Sequence, residues 1–377
     1  MKPFASLVSA FALSAVVTGT IALGAGLVAG TAPFGAAYAV GTPSSSRVVP
    51  SFANEPITVG GVTFASRADF IMAGKRCGTP EPTAAEIKAM NAAATGFVKN
   101  ETVIIKGSDA TTMGAGSRSS VQTPRRPGSV IVPVYVHLVG FASTIATIPD
   151  ARVAAQIDVM NNGFSGRIPT PVGQIPSAQA TAKTAFQYRL MGITRTIIPD
   201  DEPERLFQGY SLFEIDGVMV GVATESEYET RASLRRGGPE TLNLYIGDLP
   251  GGLLGYATFP AFYGTGRMFV INEDDELVEV PAAPFDGVAC VESSMPNDED
   301  PSNPYNLGIT AVHEVGHWLG LFHTFQGSCT NVNDGVSDTP AEASPYFGQA
   351  PNPAPDTCIT IPRDRYPGRD PFENFMD

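Results

Sequence analysis

Three of the chain's four histidines lie within one eleven-residue stretch that reads HEVGHWLGLFH. On an α-helix, residues four apart lie on the same face, so His313 and His317 can point toward one metal ion. Glu314 can reach a water held by that ion without binding the ion itself. Gly320 can take a positive φ and turn the chain, so that His323 returns as a third ligand. Three imidazoles leave a fourth position open to water, which is typical of catalytic zinc.

The elements that must position these residues are predicted from the hydrophobic pattern that begins near residue 127. An apolar run over Val130–Val139 predicts a central strand, and the lone His137 within it is interpreted as structural. Asp150 is predicted to cap a helix over Ala151–Asn161. Later predicted elements are a strand at Phe186–Leu190, a helix at Ser226–Arg236, and strands at Thr241–Ile246 and Met268–Ile271. This order implies an α/β fold with a twisted mixed sheet backed by helices.

The composition limits the classes of function. The chain has 377 residues, 43% of them hydrophobic, which is enough for a packed core. Its formal net charge of -14 argues against binding to nucleic acid or anionic membranes, since both need a basic surface. An acidic soluble protein is therefore expected.

The N-terminus has the pattern of a secretory signal. Lys2 precedes an apolar run over Phe4–Ala29, and the small residues that follow end in Ala37-Tyr38-Ala39, an A-x-A cleavage pattern. We predict a signal peptide over residues 1–39 and a secreted protein. The apolar run is also long enough to span a bilayer, so a retained anchor, which would make a membrane-anchored surface protein, is the alternative.

Residues 40–126 are predicted to form a propeptide, and residues 127–377 the catalytic domain. The first segment is rich in small and polar residues and includes a low-complexity tract over Gly107–Ser120. Arg125 and Arg126 close it as a dibasic pair, which indicates a maturation site. An ordinary linker with two arginines is an equal alternative.

The four cysteines are assigned from their surroundings. Cys329 and Cys358 flank a stretch rich in Gly, Pro and Asp, where irregular chain would gain stability from a cross-link, so we predict that they form a disulfide. Cys290 lies in the apolar run Val288–Val291 and is predicted to be a small buried residue.

Three further segments, together with the histidine stretch, carry a family resemblance. They are Pro304–Gly308, Ser337–Pro340 and Asn374–Asp377. With them the chain, over about residues 130–377, resembles the pappalysin family of metzincin metallopeptidases, and in particular its secreted fungal extracellular metalloproteases. The resemblance implies a secreted zinc endopeptidase in which His313, His317 and His323 hold zinc, Glu314 acts as general base and then acid, and Met376 forms the Met-turn below the metal.

The resemblance also implies a metzincin-type domain with a backing helix, an active-site helix and an irregular C-terminal subdomain. Family members continue past the Met-turn with a tyrosine, thought to stabilise the transition state, and a closing helix. This sequence ends at Asp377, so we expect either an incomplete C-terminal end or the loss of an oxyanion donor, which typically costs about a hundredfold or more in rate. A zinc-binding pseudoprotease that binds peptides is therefore the rival function.

Two more sites are implied by resemblance. Cys77, within RCGT, resembles the cysteine-switch residue of the family's pro-forms, whose thiolate could occupy the open position on zinc. The alternative is a cysteine without a role. The segment Leu253, Leu254, Gly255 and Tyr256 resembles the strand that lines the substrate cleft and would bind an extended peptide by β-augmentation, or it is an ordinary sheet strand.

A structural calcium ion is a second candidate cation, and a solvated loop without a metal is at least as well favoured. Asp334, Asp338 and Thr339 offer oxygen ligands in one loop. The expected partners are protein or peptide substrates, and the enzyme is expected to act as a monomer.

Overall fold

The computed structural model describes part of the chain, and the predicted leader lies outside it. The signal peptide predicted over residues 1–39, the tract over Gly107–Ser120 and Arg125 all fall outside the described residues. No helix among the residues described is long and apolar enough to cross a membrane. The described residues are 57–59, 62–64, 76–80, 82, 126, 128–167, 183–215, 218–249, 253–260, 266–297, 303, 305–329, 334–336, 339–345, 355–359, 368–372 and 374–377.

A five-stranded mixed sheet forms the centre of the fold. Its order is β4-β3-β7-β11-β8, in which the first four strands run parallel and β8 is an antiparallel edge strand. The strands are β3 (Val130–Gly140), β4 (Phe186–Ile197), β7 (Leu242–Gly247), β8 (Gly255–Ala257) and β11 (Val288–Val291). The predicted central strand at 130–139 is thus confirmed as β3, which pairs on both sides.

A second sheet has four strands in the order β10-β9-β6-β5. The prediction of one mixed sheet was therefore incomplete, because the strand at Met268–Ile271 belongs to this second sheet. Its strands are β5 (Tyr210–Ile215), β6 (Val218–Thr224), β9 (Arg267–Ile271) and β10 (Leu277–Pro281), and a separate hairpin joins β1 (Ile57–Val59) to β2 (Val62–Phe64).

Four helices lie among the described residues: α1 (Ala142–Ile145), α2 (Asp150–Phe164), α3 (Glu225–Leu234) and α4 (Ile309–Trp318). The predicted cap at Asp150 was wrong, because Pro149 is the N-cap and α2 begins at Asp150 itself. The Asp150 carboxylate instead pairs with Arg195 of β4 at 2.6 Å.

Two hydrophobic cores lie on opposite faces of the five-stranded sheet. The first core holds Leu242, Leu244 and Ile246 of β7 together with residues of α2 and α4. The second core takes the alternate residues, such as Tyr245, with residues of the second sheet. Burial on both faces is usual for parallel strands, and it explains why β7 is buried along its whole length.

The chain after α4 is irregular wherever the structure describes it. The described residues beyond Trp318 form turns and loops without a helix or strand. Cys329 and Cys358 are joined by a disulfide in this region, as predicted. With helices packed on a mixed sheet, the predicted α/β class is confirmed.

Candidate active site and metal centre

Packing from behind fixes the direction in which α4 presents its histidines. The helix begins after Gly308, which adopts φ 77°, and Gln156 of α2 donates a 2.8 Å hydrogen bond to the Gly308 carbonyl. Ala311, Val312 and Val315 are buried in the first core. Because these residues occupy the core face of α4, His313 and His317 are directed to the other side.

The three histidines converge through the same ring atom. The Nε2 atom of His317 lies 3.2 Å from that of His313 and 3.2 Å from that of His323, and the remaining Nε2 pair is 3.3 Å apart. The chain reaches His323 because the helix ends at Trp318 and Gly320 adopts φ 99°. The turn expected at this glycine is therefore present.

Backbone carbonyls orient two of these rings. His313 donates from Nδ1 to the Phe375 carbonyl, and His317 donates from Nδ1 to the Leu321 carbonyl at 2.8 Å. Since Nδ1 carries the proton in both rings, Nε2 presents a bare lone pair. Burial also lowers the pKa of each of the three imidazoles, which favours the neutral form that binds metals.

Met376 lies directly beneath the active-site helix. A Cβ atom added at Gly316 would overlap the Met376 sulfur, so the helix and the methionine can approach only because this residue is glycine. The Met376 amide donates to Asn374 Oδ1 at 3.0 Å, and its carbonyl accepts from the Thr324 amide at 3.0 Å. The predicted Met-turn residue therefore lies under the histidines, beside the chain that carries His323.

Glu314 is enclosed between α4 and the edge strand β8. Its side chain is buried, and a Cβ atom added at Gly255 would lie 2.7 Å from Glu314 Cγ. Burial raises the pKa of Glu314 to about 8, while hydrogen bonds from Thr79 and Cys77 act in the opposite direction. Beneath these residues, burial favours the protonated form of the Glu314 carboxyl group.

A short stretch of the predicted propeptide lies over this site. We call residues 76–80 the covering segment. Its Cys77 Sγ lies 3.5 Å from His317 Nε2 and 3.6 Å from Glu314 Oε2. Among the residues described, this sulfur and the histidine nitrogens form the one cluster suited to a metal, with all four atoms within 4.8 Å of one another.

The covering segment runs parallel to β8 and pairs with it. The Gly78 amide donates to the Gly255 carbonyl at 2.7 Å, and the Leu254 amide donates to the Arg76 carbonyl at 2.8 Å. Outside this pairing, the Arg76 guanidinium lies 3.9 Å from the centre of the Tyr305 ring. An extended chain can therefore lie along β8 and across the histidines.

Thr79 was not singled out by the sequence, yet it contacts both walls of the cleft. Its hydroxyl donates to Glu314 Oε2 at 2.9 Å and accepts from the Ala257 amide at 2.8 Å. A threonine two residues after a cysteine carries no pattern that would have revealed this role.

The predicted cleft strand is present, but only part of the predicted segment faces the cleft. Leu254 and Gly255 offer backbone groups to the covering segment, and Ala257, which was not predicted, adds its amide. Tyr256 has 0% of its surface exposed and packs in the second core. Its side chain therefore lies behind the strand, where an extended peptide on the cleft side would not touch it.

Asp286 joins the active-site helix to the residue that follows β8. Its Oδ1 accepts from Trp318 Nε1 at 3.1 Å and from Thr258 Oγ1 at 2.9 Å, and its Oδ2 pairs with Arg235 at 3.1 Å. This aspartate fixes the two walls of the cleft relative to each other.

The other predicted polar sites lie elsewhere. Both ring nitrogens of His137 are hydrogen-bonded, to Thr194 at 2.8 Å and Asn243 at 3.1 Å, as expected of a structural histidine. Of the residues expected to bind calcium, Asp338 falls outside the described part of the chain, and Asp334 accepts a 2.9 Å bond from the Val336 amide.

The chain is similar to known proteases in sequence. The family model described as pregnancy-associated plasma protein-A matches residues 284–361. An extracellular metalloprotease of Colletotrichum graminicola is 31% identical over 83% of this chain and 86% of its own length. One of Pyricularia oryzae is 29% identical over 80% of each chain. The solved structure of mature mirolysin from Tannerella forsythia is 28% identical, covering 66% of this chain and 83% of its own, with a TM-score of 0.45.

The histidine cluster and the neighbouring carboxyl group define a metallopeptidase. The chain belongs to the pappalysin family of metzincin metallopeptidases, as the matched family model and the long alignment with a relative more than 30% identical show.

Proposed function

We propose that the chain is a secreted zinc endopeptidase that hydrolyses internal peptide bonds of proteins and is made as a latent precursor. The observation that carries the proposal is the convergence of the three Nε2 atoms, 3.2–3.3 Å apart, beside the buried carboxyl group of Glu314. The names of the fungal relatives, which are extracellular metalloproteases, support secretion.

The spacing of the ligand atoms fits zinc. In a tetrahedral site with Zn–N bonds of about 2.0–2.1 Å, two nitrogens lie about 3.3–3.4 Å apart. The same geometry with a Zn–S bond of about 2.3 Å separates sulfur from nitrogen by about 3.5–3.6 Å. The observed distances are 3.2–3.3 Å between nitrogens and 3.5 Å from Cys77 Sγ to His317 Nε2. Nitrogen and sulfur ligands in this arrangement are typical of zinc.

Glu314 is proposed as the general base. When bound, zinc would acidify a water and polarise the scissile carbonyl. The Glu314 carboxylate would take the proton of the attacking water and return it to the leaving amine. For this the carboxylate must be free of its hydrogen bond from Thr79, so the covering segment has to leave before the reaction.

Latency would follow from occupation of the cleft. Burial and the nearby Glu314 raise the pKa of the Cys77 thiol, and a zinc ion would act in the opposite direction and favour the thiolate. In the covering segment, Cys77 lies beside the histidines, Thr79 is hydrogen-bonded to Glu314, and Gly78 pairs with β8. The segment would therefore block the metal ligands, the general base and the substrate-binding strand at the same time. Proteolysis after the segment, near residue 126, is the proposed activation step.

An extended substrate would use the edge of β8 that the covering segment uses. The free edge of a sheet binds a peptide through backbone hydrogen bonds, which gives affinity for many sequences. This mode agrees with an endopeptidase that acts on unfolded or extended protein segments.

The test is cleavage of casein by the processed protein, beside its Glu314→Ala variant and a chelated sample, with zinc content measured in each. We expect cleavage that is lost in the variant although zinc stays bound. Zinc without cleavage in either protein would contradict the proposal and favour a peptide-binding pseudoprotease.

A further inference from the structure

The side of β8 that faces away from the cleft rests on a buried ion pair. The Tyr256 hydroxyl donates to Glu227 Oε1 of α3, and neither residue has any exposed surface. The same carboxylate oxygen accepts from Arg231 Nε at 2.9 Å. The edge strand is therefore tied to α3 through a charged group inside the second core.

The position of the Glu227 carboxylate is fixed by its other contacts. Its second oxygen, Oε2, accepts from the backbone N–H of Gln208 at 2.8 Å and from the backbone N–H of Gly209 at 3.0 Å. Arg231 donates from Nη1 to the Phe285 carbonyl at 3.1 Å. Four aromatic rings surround the guanidinium at 4.4–5.2 Å, those of Phe207, Tyr245, Tyr256 and Phe285.

Burial of this pair is not explained by stability alone. Removing two charges from water is costly, and well-packed apolar residues of the same volume are often as stabilising as a buried ion pair. A hydrogen-bonded carboxylate, unlike an apolar contact, fixes the position of its partner in distance and direction. The partner is the hydroxyl of Tyr256, in the middle of a three-residue edge strand.

The position of β8 matters because its outer edge is the binding surface. Gly255 and Ala257, which flank Tyr256, contact the covering segment through a carbonyl and an amide. Gly255 also lies against Glu314. Tyr210 adds a second fixed point, because its hydroxyl donates to the Ala257 carbonyl at 2.8 Å.

We propose that Tyr256, held by Glu227 and Arg231, is a positioning residue. It sets the distance between β8 and the histidines, and thereby the affinity for extended peptides. This inference rests on the proposed function, because it assumes that substrates pair with the same edge as the covering segment.

The test compares Tyr256→Phe with Tyr188→Phe. Tyr256→Phe keeps the ring and removes only the hydroxyl that reaches Glu227. The control, Tyr188, is a buried tyrosine of the first core whose hydroxyl has no hydrogen-bond partner among the described residues. Zinc content is measured in all proteins, so that damage to the histidine cluster is detected separately.

Two readouts are used. In the zinc-loaded full chain, the rate of Cys77 alkylation, followed by peptide mass, should rise several-fold in Tyr256→Phe because the segment loses a well-placed strand. After maturation, KM for an extended peptide should rise about fivefold while kcat stays within about twofold, since uniform binding is lost. Tyr188→Phe should match the unaltered protein in both readouts.

Equal alkylation rates and equal KM values in Tyr256→Phe and the unaltered protein would overturn the proposal. A fall in kcat with KM unchanged would also overturn it, because the hydroxyl would then act on the chemistry and not on strand position. If no protein cleaves any peptide, the proposed function fails, but the alkylation rates still decide whether Tyr256 positions β8.

Discussion

The two surfaces that meet at the metal site are held in different ways. The floor, formed by α4, His323 and Met376, is supported from behind by the first core and by carbonyls that orient the imidazoles. The covering segment has its main contacts with the site itself: the edge of β8, Glu314 and His317. In the proposed activation, the floor would keep its geometry when the segment leaves, and only access to the site would change.

The contacts of the covering segment are individually weak. A neutral hydrogen bond contributes about 0.5–1.5 kcal/mol net, so the few backbone bonds along β8 hold the segment only modestly. A metal–thiolate bond would then be the strongest single attachment. This difference predicts that changes in the floor destroy the site, whereas changes in the segment open it.

The largest effect is expected from His317→Ala, in the floor. Zinc content should fall to near zero and kcat/KM should fall by about a thousandfold or more, because a tetrahedral site loses a ligand. Metal analysis and a peptide assay measure both. His137→Gln, a change to the structural histidine, is the control and should keep zinc. Retention of zinc by His317→Ala would remove this histidine from the ligand set.

Cys77→Ala, in the covering segment, should have the opposite effect. The unprocessed chain should keep zinc and become at least about tenfold more active. A tenfold change corresponds to a loss of about 1.4 kcal/mol in the binding of the covering segment to the site. The control is Cys290→Ala, which removes the other free cysteine, buried in the first core. An unprocessed Cys77→Ala protein no more active than the unaltered precursor would rule out the thiol as the source of latency.

Gly316→Ala tests how closely the floor is packed. The new methyl group would meet the Met376 sulfur, so stability should fall by about 1–3 kcal/mol although alanine favours helices. Urea unfolding measures the loss. The comparison is Gly192→Ala in β4, where an added Cβ would lie 3.3 Å from the Tyr135 ring, so that the loss of stability should be smaller than in Gly316→Ala. Equal stability of the two variants would show that Met376 does not support the helix closely.

The smallest expected effect is a pH dependence of stability that arises from Glu342, whose partner Thr324 follows His323 of the floor. Burial, together with the nearby Asp377 carboxylate, raises the pKa of Glu342 from 4.5 to about 8, and Thr324 donates to this carboxyl group at 2.9 Å. Above about pH 4.5 the unfolded chain releases the Glu342 proton, whereas the folded chain keeps it. The protonated carboxyl group therefore contributes fully to the stability of the folded state below about pH 4.5, and this contribution is lost as the pH rises through about 8.

Thermal unfolding at pH 5 and pH 8 measures this contribution against Glu342→Gln. The unaltered protein should lose more stability than the variant between the two pH values. The same pH dependence in both proteins would mean that Glu342 does not hold the proton.

The histidine stretch could be predicted from the sequence because helix periodicity alone brings two ligands together and a glycine supplies the turn to the third. The interpretation of His137 also followed from its apolar neighbours. The position of Tyr256 could not be predicted, because the face that a three-residue strand presents is decided by tertiary packing. The role of Thr79 could not be predicted either, because its partners Glu314 and Ala257 are distant in the sequence. The helix α2 starts one residue before the predicted start, because the extended residue that precedes it is Pro149 and Asp150 is already its first helical residue.

The most direct test of a preformed site beneath a removable segment is zinc K-edge X-ray absorption on the unprocessed full chain and on its matured product. The unprocessed chain should show three nitrogen ligands at about 2.0 Å and one sulfur at about 2.3 Å, and the matured product should keep the nitrogens and lose the sulfur. An unprocessed chain without sulfur at zinc, or a matured product whose nitrogen shell has changed, would contradict this account.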